Sequence, residues 1–311
     1  MKPAVVAAAC LGLGACAIGP DYERPELELP EEYRSAKDSG NSIANLLWWE
    51  LFRDPALQEL IEVALAENND LKVAVARVEE ARARYGFVRA DQFPQVGIQG
   101  EASTNEPGDV LINFGRIDNY QLGATLSWEL DFWGRLRRNT EAERAELLAT
   151  EEARRNVLIS LISDVASAYL LLLDLNQRLE ISQRTLRSRE KSLDIIQARF
   201  DQGTVPLLDV NQADIQAAEA QTTVASLERS IIEAENLLAV LLGRGPEPII
   251  RTRRSMAGLT LPKVPAGMPM ELLERRPDVR QAEQSLAAQT ARIGAAQALR
   301  LPTFDLTGSL G

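Results

Sequence analysis

Histidine is absent from the 311-residue sequence. This absence excludes Ser-His-Asp and Cys-His catalysis, a proximal histidine on haem, and zinc sites built on imidazole, because each of these depends on that side chain. Carboxylate chemistry is still available, but no phosphate-binding loop, metal-ligand spacing or dinucleotide fingerprint accompanies the acidic residues. We therefore expect neither an enzyme nor a metal or other cofactor.

Basic residues are too few for a nucleic-acid-binding surface. Lys and Arg number 34 against 45 Asp and Glu, which gives a net charge of −11 at pH 7. Neutralisation of phosphates needs clustered cations rather than an acidic surplus. Hydrophobic residues make up 45% of the chain, enough to bury a core. We expect a folded protein that does not bind nucleic acid.

The N-terminus has the anatomy of a signal peptide over residues 1–15. Lys2 precedes an apolar run over residues 4–13 that is too short to cross a bilayer as a helix. The tetrapeptide Leu-Gly-Ala-Cys that ends at Cys16 matches the bacterial lipobox, in which the cysteine is acylated and becomes the first mature residue. An ordinary cleaved signal with an unrelated cysteine is the alternative. With cleavage at the lipobox, Cys10 leaves with the signal, and the mature chain holds no disulfide.

Helical signals follow a proline-containing linker over residues 16–53. Asp54 before Pro55 pairs a capping carboxylate with a proline at the first helical position, which predicts a short helix to about residue 67. A second helix is predicted over residues 71–92, ending before a proline.

A β-hairpin is predicted next, because the apolar period changes from helix to strand. Residues 119–132 alternate without an error, and residues 96–103 form a weaker first strand across a long loop. The apolar set of the stronger strand is Tyr120, Leu122, Ala124, Leu126, Trp128, Leu130 and Phe132. One apolar face with Trp128, Phe132 and Trp133 at one end is typical of outer-membrane strands with an aromatic girdle. A soluble hairpin packed on a core is the alternative. Two strands cannot close a barrel, so a membrane hairpin requires oligomerisation.

A long helical hairpin is predicted over the middle of the chain. Residues 139–200 contain neither Gly nor Pro and would form a helix about 93 Å long. Apolar residues recur at intervals of seven, the seam of a coiled coil, at Leu158, Val165, Leu172, Leu179, Leu186, Leu193 and Phe200. Residues 203–206 predict a turn, and a return helix is predicted over residues 207–242. Residues 157–175 are apolar, but serine and aspartate interrupt them, so we do not expect a membrane-spanning helix.

An internal repeat relates the two ends of the chain. At an offset of 208 residues, eight of 31 positions between 70 and 100 are identical. The identities are Asp70/Asp278, Ala74/Ala282, Ala83/Ala291, Arg84/Arg292, Gly86/Gly294, Ala90/Ala298, Pro94/Pro302 and Gly100/Gly308. The second copy would extend beyond residue 311, so we expect a fragment or a truncated second repeat.

Several short motifs together resemble the TolC-like outer-membrane factors, in particular the lipidated NodT-type branch that serves drug-efflux pumps of the resistance-nodulation-division type. The motifs are Cys16 to Tyr22 with Pro25, Trp48-Trp49, Phe52 with Asp54-Pro55, Leu130 to Gly134, Arg199-Phe200 with Gly203 to Asp209, and Leu273 to Asp278. Each motif is weak alone, but their order and spacing are specific, and they cover nearly the whole mature chain.

The resemblance implies a mainly α fold with a transmembrane β-hairpin and a long α-helical hairpin in an α-barrel wall, with β-barrel strands contributed to a trimer. The expected organisation is a signal peptide (1–15), lipid-anchored linker (16–53), first-repeat helices (54–92), outer-membrane hairpin (93–134), periplasmic helical hairpin (135–243), equatorial connector (244–276) and start of the second repeat (277–311).

The function implied by the resemblance is passive export through a homotrimeric duct. The expected partners are outer-membrane lipid, a periplasmic adaptor (membrane fusion) protein and an inner-membrane pump. The resemblance assigns lipidation to Cys16 and docking of the adaptor to a periplasmic tip. The tip residues are Arg199, Phe200, Gly203, Thr204, Val205, Pro206, Leu207, Leu208 and Asp209. Apolar residues and glycine in a turn fit a contact with a partner, although a turn of purely structural role is the alternative.

Other functions stay open at this point. A lipid-anchored coiled-coil scaffold without a channel would use the same helices, and a related duct could export metal ions or secreted protein. A hydrolase based on paired carboxylates is not supported, because Glu79-Glu80 and Glu151-Glu152 are expected on helix surfaces without a pocket. The acidic surplus favours passage of cations only if the carboxylates line the lumen.

Overall fold

The computed structural model describes residues 17–26, 54–105, 117–249 and 274–311. Cys16, the tryptophan pair at 48–49 and the predicted connector largely lie outside these residues. Within them the chain forms two compact units. The sheet unit comprises the described parts of Met1–Leu29, Ala76–Ala153 and Leu273–Gly311, and the helical unit comprises those of Pro30–Val75 and Arg154–Leu272.

The described elements, in chain order, are five helices and three strands. They are α1 (Pro55–Glu67), α2 (Asn69–Ala90), β1 (Gln95–Asn105), β2 (Ile117–Glu129), α3 (Arg135–Asp201), α4 (Leu207–Leu241), α5 (Pro277–Ala298) and β3 (Asp305–Leu310). All the predicted helices and strands are present, with shifts of a few residues at their ends.

Helix α1 starts where its capping signal predicts. The Asp54 carboxylate accepts hydrogen bonds from the backbone N–H groups of Ala56 and Leu57, at 3.0 and 3.4 Å. A single residue, Asn68, then separates α1 from α2. Its side-chain oxygen accepts from the N–H of Leu71 at 2.8 Å, and its amide donates to the Leu241 carbonyl at 2.9 Å. Helix α2 therefore begins two residues before the predicted start, because this buried asparagine satisfies its free N–H groups.

The core of the helical unit lies where α1, α3 and α4 meet. Leu57, Tyr169 and Leu238 are fully buried there. The predicted seam of α3 is confirmed in this region, since Val165 and Leu172 are also fully buried. The residues of α4 that are buried include Val210, Ala213, Ala217, Ile231, Ala234 and Leu238. Among the described residues α3 is long and apolar enough to cross a membrane by length and composition alone, but 44% of the window that meets that test is buried in this packing.

Strand β2 ends, and helix α3 begins, a few residues earlier than the sequence predicts. Strand β2 stops at Glu129, so the prediction that it continues to Phe132 is wrong. The Asp131 carboxylate instead accepts from the N–H groups of Leu136 and Arg137, at 3.1 and 3.0 Å. Capping the new helix therefore overrides the strand pattern, and α3 begins at Arg135.

The three strands form one antiparallel sheet with β2 in the centre. Leu122 pairs with Gly100 of β1, and Leu126 pairs with Val96 of β1 and Gly308 of β3. This register puts the apolar residues of all three strands on one face: Val96, Ile98, Ala102, Tyr120, Leu122, Ala124, Leu126, Trp128, Leu306 and Leu310. Most of this face is exposed; the exposed fraction is 80% for Ile98 and 74% for Leu122. In the described part of the chain, no helix covers the exposed residues of this face.

The second repeat starts as the offset predicts. Helix α5 begins at Pro277 and is followed by β3, just as α2 is followed by β1. Strand β3 pairs with the edge of β2 opposite β1. The two repeats therefore contribute equivalent strands on either side of β2.

Candidate functional site

The predicted tip is a tight turn between α3 and α4. Gly203 has a φ of +72°, a conformation that favours glycine. Its N–H donates to the Phe200 carbonyl at 2.7 Å, and the N–H and hydroxyl of Thr204 both donate to the Arg199 carbonyl, at 3.0 and 2.9 Å. These bonds satisfy the end of α3 within the turn itself.

Apolar side chains project from this turn. Leu208 is 70% exposed and Leu207 is 55% exposed. Adding a Cβ to Gly203 would meet no described atom within 4 Å. Exposed leucines beside open space provide a surface that another protein can cover.

A groove of about 410 Å³ runs from the turn between α3 and α4. It is lined by Arg189, Ser192, Ile196, Arg199, Val205, Asp209, Gln212, Ala213 and Gln216. Arg199, Val205 and Asp209 were among the predicted tip residues. The other six were missed, although Arg189, Ser192, Ile196 and Arg199 repeat at the three- and four-residue spacing of one helix face.

The chemistry of the groove is mixed. The Arg189 guanidinium donates to the side-chain oxygen of Gln216 at 2.7 Å, which joins the two helices. The groove thus holds two guanidinium groups, one carboxylate and two amides beside an isoleucine and a valine. Such a lining can hydrogen-bond a partner's polar groups and pack against its apolar ones.

The three predicted girdle residues meet at one end of the sheet. The Trp128 indole donates to the Gln92 carbonyl at 3.1 Å, and the Trp133 indole donates to the Pro302 carbonyl at 2.8 Å. The Phe132 ring packs edge-to-face on Phe304, with 5.3 Å between ring centroids. Aromatic rings with a satisfied polar tip suit a membrane–water interface.

The residues at the junction of β2 and α3 are held by local contacts where the chain changes direction. Asp131 caps α3, and its carboxylate also lies 3.4 Å from Nε of Arg137. Glu129 accepts from Nε of Arg135 at 3.0 Å. Gly134 has a φ of +79°, and a Cβ there would lie 2.8 Å from Cα of Ala17. Each charged group and the glycine at this junction therefore has a local structural role.

The expectation that Glu151-Glu152 lies on a helix surface is wrong for Glu152. Its side chain is only 6% exposed and lies 2.9 Å from Nη2 of Arg280 on α5. The packing of α5 against α3 covers this position, and the arginine compensates the buried charge. Among the described residues no cluster of three or more His, Cys, Asp or Glu side chains is arranged to hold a metal ion.

Known proteins are similar to this chain in sequence and in fold. The family described as "Outer membrane efflux protein" matches residues 60–244. The solvent efflux pump outer membrane protein SrpC of Pseudomonas putida is 39% identical over 313 residues, covering 97% of this chain and 67% of the relative. The cation efflux system protein CusC of Escherichia coli strain K12 is 34% identical over 305 residues, covering 96% of this chain and 66% of the relative.

A solved structure of the outer-membrane channel OprN has the same fold. It superposes with a TM-score of 0.83 at 34% identity, covering 95% of this chain and 67% of that chain. The chain thus spans about two thirds of the length of the relatives it matches. The predicted family and fold class are confirmed, and the relatives bear out the predicted outer-membrane location and efflux function at the level of the family. The chain belongs to the outer membrane efflux protein family.

Proposed function

We propose that this chain forms part of the outer-membrane duct of a tripartite efflux pump, through which small toxic molecules pass without covalent change. The observation that carries the proposal is the two-faced sheet. One face bears the exposed apolar residues, and the opposite face bears Gln95, Gln99, Glu101, Ser103, Asn119, Gln121, Thr125, Ser127, Glu129, Asp305, Thr307 and Ser309. A sheet with lipid outside and water inside requires this arrangement.

The free edges of the sheet support assembly with further copies of the chain, which we take to be a homotrimer. In the described part of the chain, β1 and β3 each pair only with β2, so each has a free edge. Each unpaired backbone N–H or C=O group costs several kcal/mol in hydrocarbon, which is about the free energy of transferring an amide out of water. Closing the sheet with further copies removes these edges. The outer-membrane lipid that covers the apolar face is therefore one partner and the identical chain another.

The tip supports docking of a periplasmic adaptor protein, which in turn joins an inner-membrane pump. Its exposed leucines and the adjoining polar groove offer an apolar contact with hydrogen-bonding groups beside it. The groove extends the docking surface about three helical turns along α4, because Gln216 is the tenth residue of that helix. We assign Arg199, Phe200, Gly203 to Asp209 and the groove residues to this contact.

Two alternatives differ in what they predict for the sheet and the cargo. A lipid-anchored scaffold without a channel has no use for an exposed apolar sheet face. Cation efflux is the activity named for CusC. If the duct exports metal ions, its loss should make cells more sensitive to metal and should leave their accumulation of organic compounds unchanged. The mixed, non-acidic tip groove favours neither cargo.

The proposal is tested by efflux in a bacterial strain that lacks its own outer-membrane efflux component. The gene, expressed with a candidate adaptor and pump, should lower the steady-state accumulation of a fluorescent organic dye. Protein that carries a complete second repeat should form conducting pores in planar bilayers. Correct insertion in the outer membrane with neither conductance nor a change in accumulation would support the scaffold instead.

A further inference from the structure

The N-terminal segment 17–26 lies across two helices of the sheet unit. The Ile18 N–H donates to the Trp133 carbonyl at 3.1 Å, just before α3. Farther along, the Tyr22 hydroxyl and the Arg24 guanidinium both donate to the Glu283 carboxylate of α5, at 3.2 and 3.0 Å. The segment therefore contacts both the aromatic end of the sheet and the first helix of the second repeat. We call residues 17–26 the strap.

Arg138 on α3 binds the middle of the strap. Its side chain is 6% exposed, and its guanidinium donates to the carbonyls of Ile18 and Gly19, both at 3.4 Å. The same group donates to the Asp21 carboxylate at 2.7 Å and to that of Glu141 at 2.9 Å. Three of its four acceptors belong to the strap. Burying a guanidinium without such acceptors would be costly, so the strap and Arg138 stabilise each other.

Two glycines let the strap approach α5 closely. Gly19 has a φ of +107°, and a Cβ there would lie 2.3 Å from Cα of Gly294. A Cβ on Gly294 would lie 2.6 Å from the Ile18 carbonyl oxygen and 3.1 Å from the Arg138 side chain. Neither backbone can retreat without breaking the Arg138 contacts. The strap is therefore held in one register.

The first repeat lacks this contact. Gly86 is the repeat equivalent of Gly294, and a Cβ on it would meet no described atom within 4 Å. Both glycines lie inside helices of 22 residues, so their intrinsic cost to the helix is similar. The crowding at Gly294 comes from the strap and from Arg138, not from the repeat itself.

We propose that Arg138 and Gly294 form a receptor site for the strap and that this site sets the height of the lipid anchor against the membrane. Ala17, the first residue of the strap, lies against Gly134, directly after Trp133 of the aromatic end. Arg138 is a positioning residue in this scheme, since it acts through the strap. The proposal rests on the proposed function, because it needs the aromatic end of the sheet to lie at the membrane surface, and it adds the acylation of Cys16 that the lipobox predicts.

Hydrogen exchange of the full chain in detergent tests the receptor site. Gly294→Ala and Arg138→Lys should raise the exchange rate of backbone amides in residues 17–26 by about tenfold or more, because the strap loses its register. Gly86→Ala, the matched control, should leave that rate unchanged. Exchange in the strap that is unchanged in Gly294→Ala, or raised equally by Gly86→Ala, would overturn the proposal.

A depth measurement tests the positioning role. Pro20 is exposed, so Pro20→Cys can carry a nitroxide label. In lipid vesicles, the relaxation rate that a lipid-bound agent causes at the label should change by at least about twofold when Gly294→Ala or Arg138→Lys is introduced. It should not change with Gly86→Ala. A label depth that stays the same after the strap is released, or the absence of an acyl group on Cys16, would overturn the positioning role. Missing conductance with a protected strap would count only against the proposed function.

Discussion

Arg84 and Arg292, which are equivalent positions of the two repeats, form ion pairs with the same carboxylate. Nε of Arg84 lies 3.0 Å from one oxygen of Glu143, and Nη2 of Arg292 lies 3.5 Å from the other. The Glu143 side chain is only 12% exposed. One residue at the start of α3 thus joins the helix of the first repeat to the helix of the second.

Glu143→Gln should therefore destabilise the sheet unit. The substitution leaves two arginines facing a neutral amide, and we expect a loss of about 1–2 kcal/mol in the free energy of unfolding, because both arginines are partly exposed and screened. Glu79→Gln is the control. Its pair with Arg82 is exposed on the helix surface, so the expected loss is below about 0.5 kcal/mol. Denaturant unfolding of the full chain measures both, and equal losses would contradict the bridging role.

The buried pair of Asp54 and Tyr169 should be more sensitive. Both side chains are fully buried, and the tyrosine hydroxyl donates to the carboxylate at 3.0 Å. Asp54→Ala removes the cap of α1 and this acceptor together, for an expected loss of about 2–4 kcal/mol. Asp54→Asn keeps an oxygen for the cap and should lose less than half as much. Comparable unfolding midpoints for the two variants would contradict the assignment.

Sequence alone predicts those elements whose ends carry local signals. Helix α4 was placed to within one residue, because Gly203 and Pro206 precede it and Gly243 follows it. The end of β2 was missed because the alternation continues through Asp131, whereas the carboxylate of that residue caps the next helix. Such a choice depends on which contact is stronger in the folded chain.

Long-range contacts account for the other failures. Nothing beside Glu152 in the sequence signals that Arg280 will cover it. Only a third of the residues that line the tip groove are predicted, since Arg189, Ser192 and Gln216 are polar and leave no hydrophobic periodicity to follow. The periodic pattern located the helices, but only their packing revealed the groove.

Charge on the apolar face of the sheet should prevent membrane insertion. Leu122→Arg puts a guanidinium on the face assigned to lipid, at an expected cost of about 2–4 kcal/mol near the bilayer midplane. Gln121→Arg, one residue away on the opposite face, should be tolerated because it stands across from Glu101. Fractionation of outer membranes measures both variants. Equal insertion of the two proteins would contradict the assignment of the faces.

Alkaline pH should release the strap. Burial raises the pKa of Tyr22 above its ordinary value of 10.0, and the nearby Glu283 carboxylate raises it further. The neutral phenol is thus favoured in the folded state, so its contribution is complete below pH 10 and is lost as the pH rises through the raised pKa. Hydrogen exchange of residues 17–26, corrected for the intrinsic pH dependence, should show this step. Tyr22→Phe should lack it, and a step that persists in that variant would point to another group.

Two substitutions of Gly203 at the tip separate the effect of side-chain size from the effect of backbone strain. Gly203→Ala and Gly203→Trp both force a side chain into a left-handed conformation, at a similar cost of about 1 kcal/mol. Within the described protein the Cβ has open space, so both proteins should fold and assemble. Only the tryptophan occupies the surface where the adaptor is expected to dock. We therefore expect Gly203→Trp to abolish crosslinking to the adaptor and to reduce efflux more than tenfold, about the loss of 1.4 kcal/mol or more of contact free energy.

Gly203→Ala should retain most of the efflux activity, since the alanine methyl group adds little volume beyond the turn. Dye accumulation in whole cells measures export, and native electrophoresis of membrane extracts checks that the oligomer is intact. Wild-type export by Gly203→Trp, with the adaptor still crosslinked to the tip, would remove this turn from the docking surface. Equal loss in both variants would instead trace the effect to the strained backbone, because strain is the only change the two substitutions share.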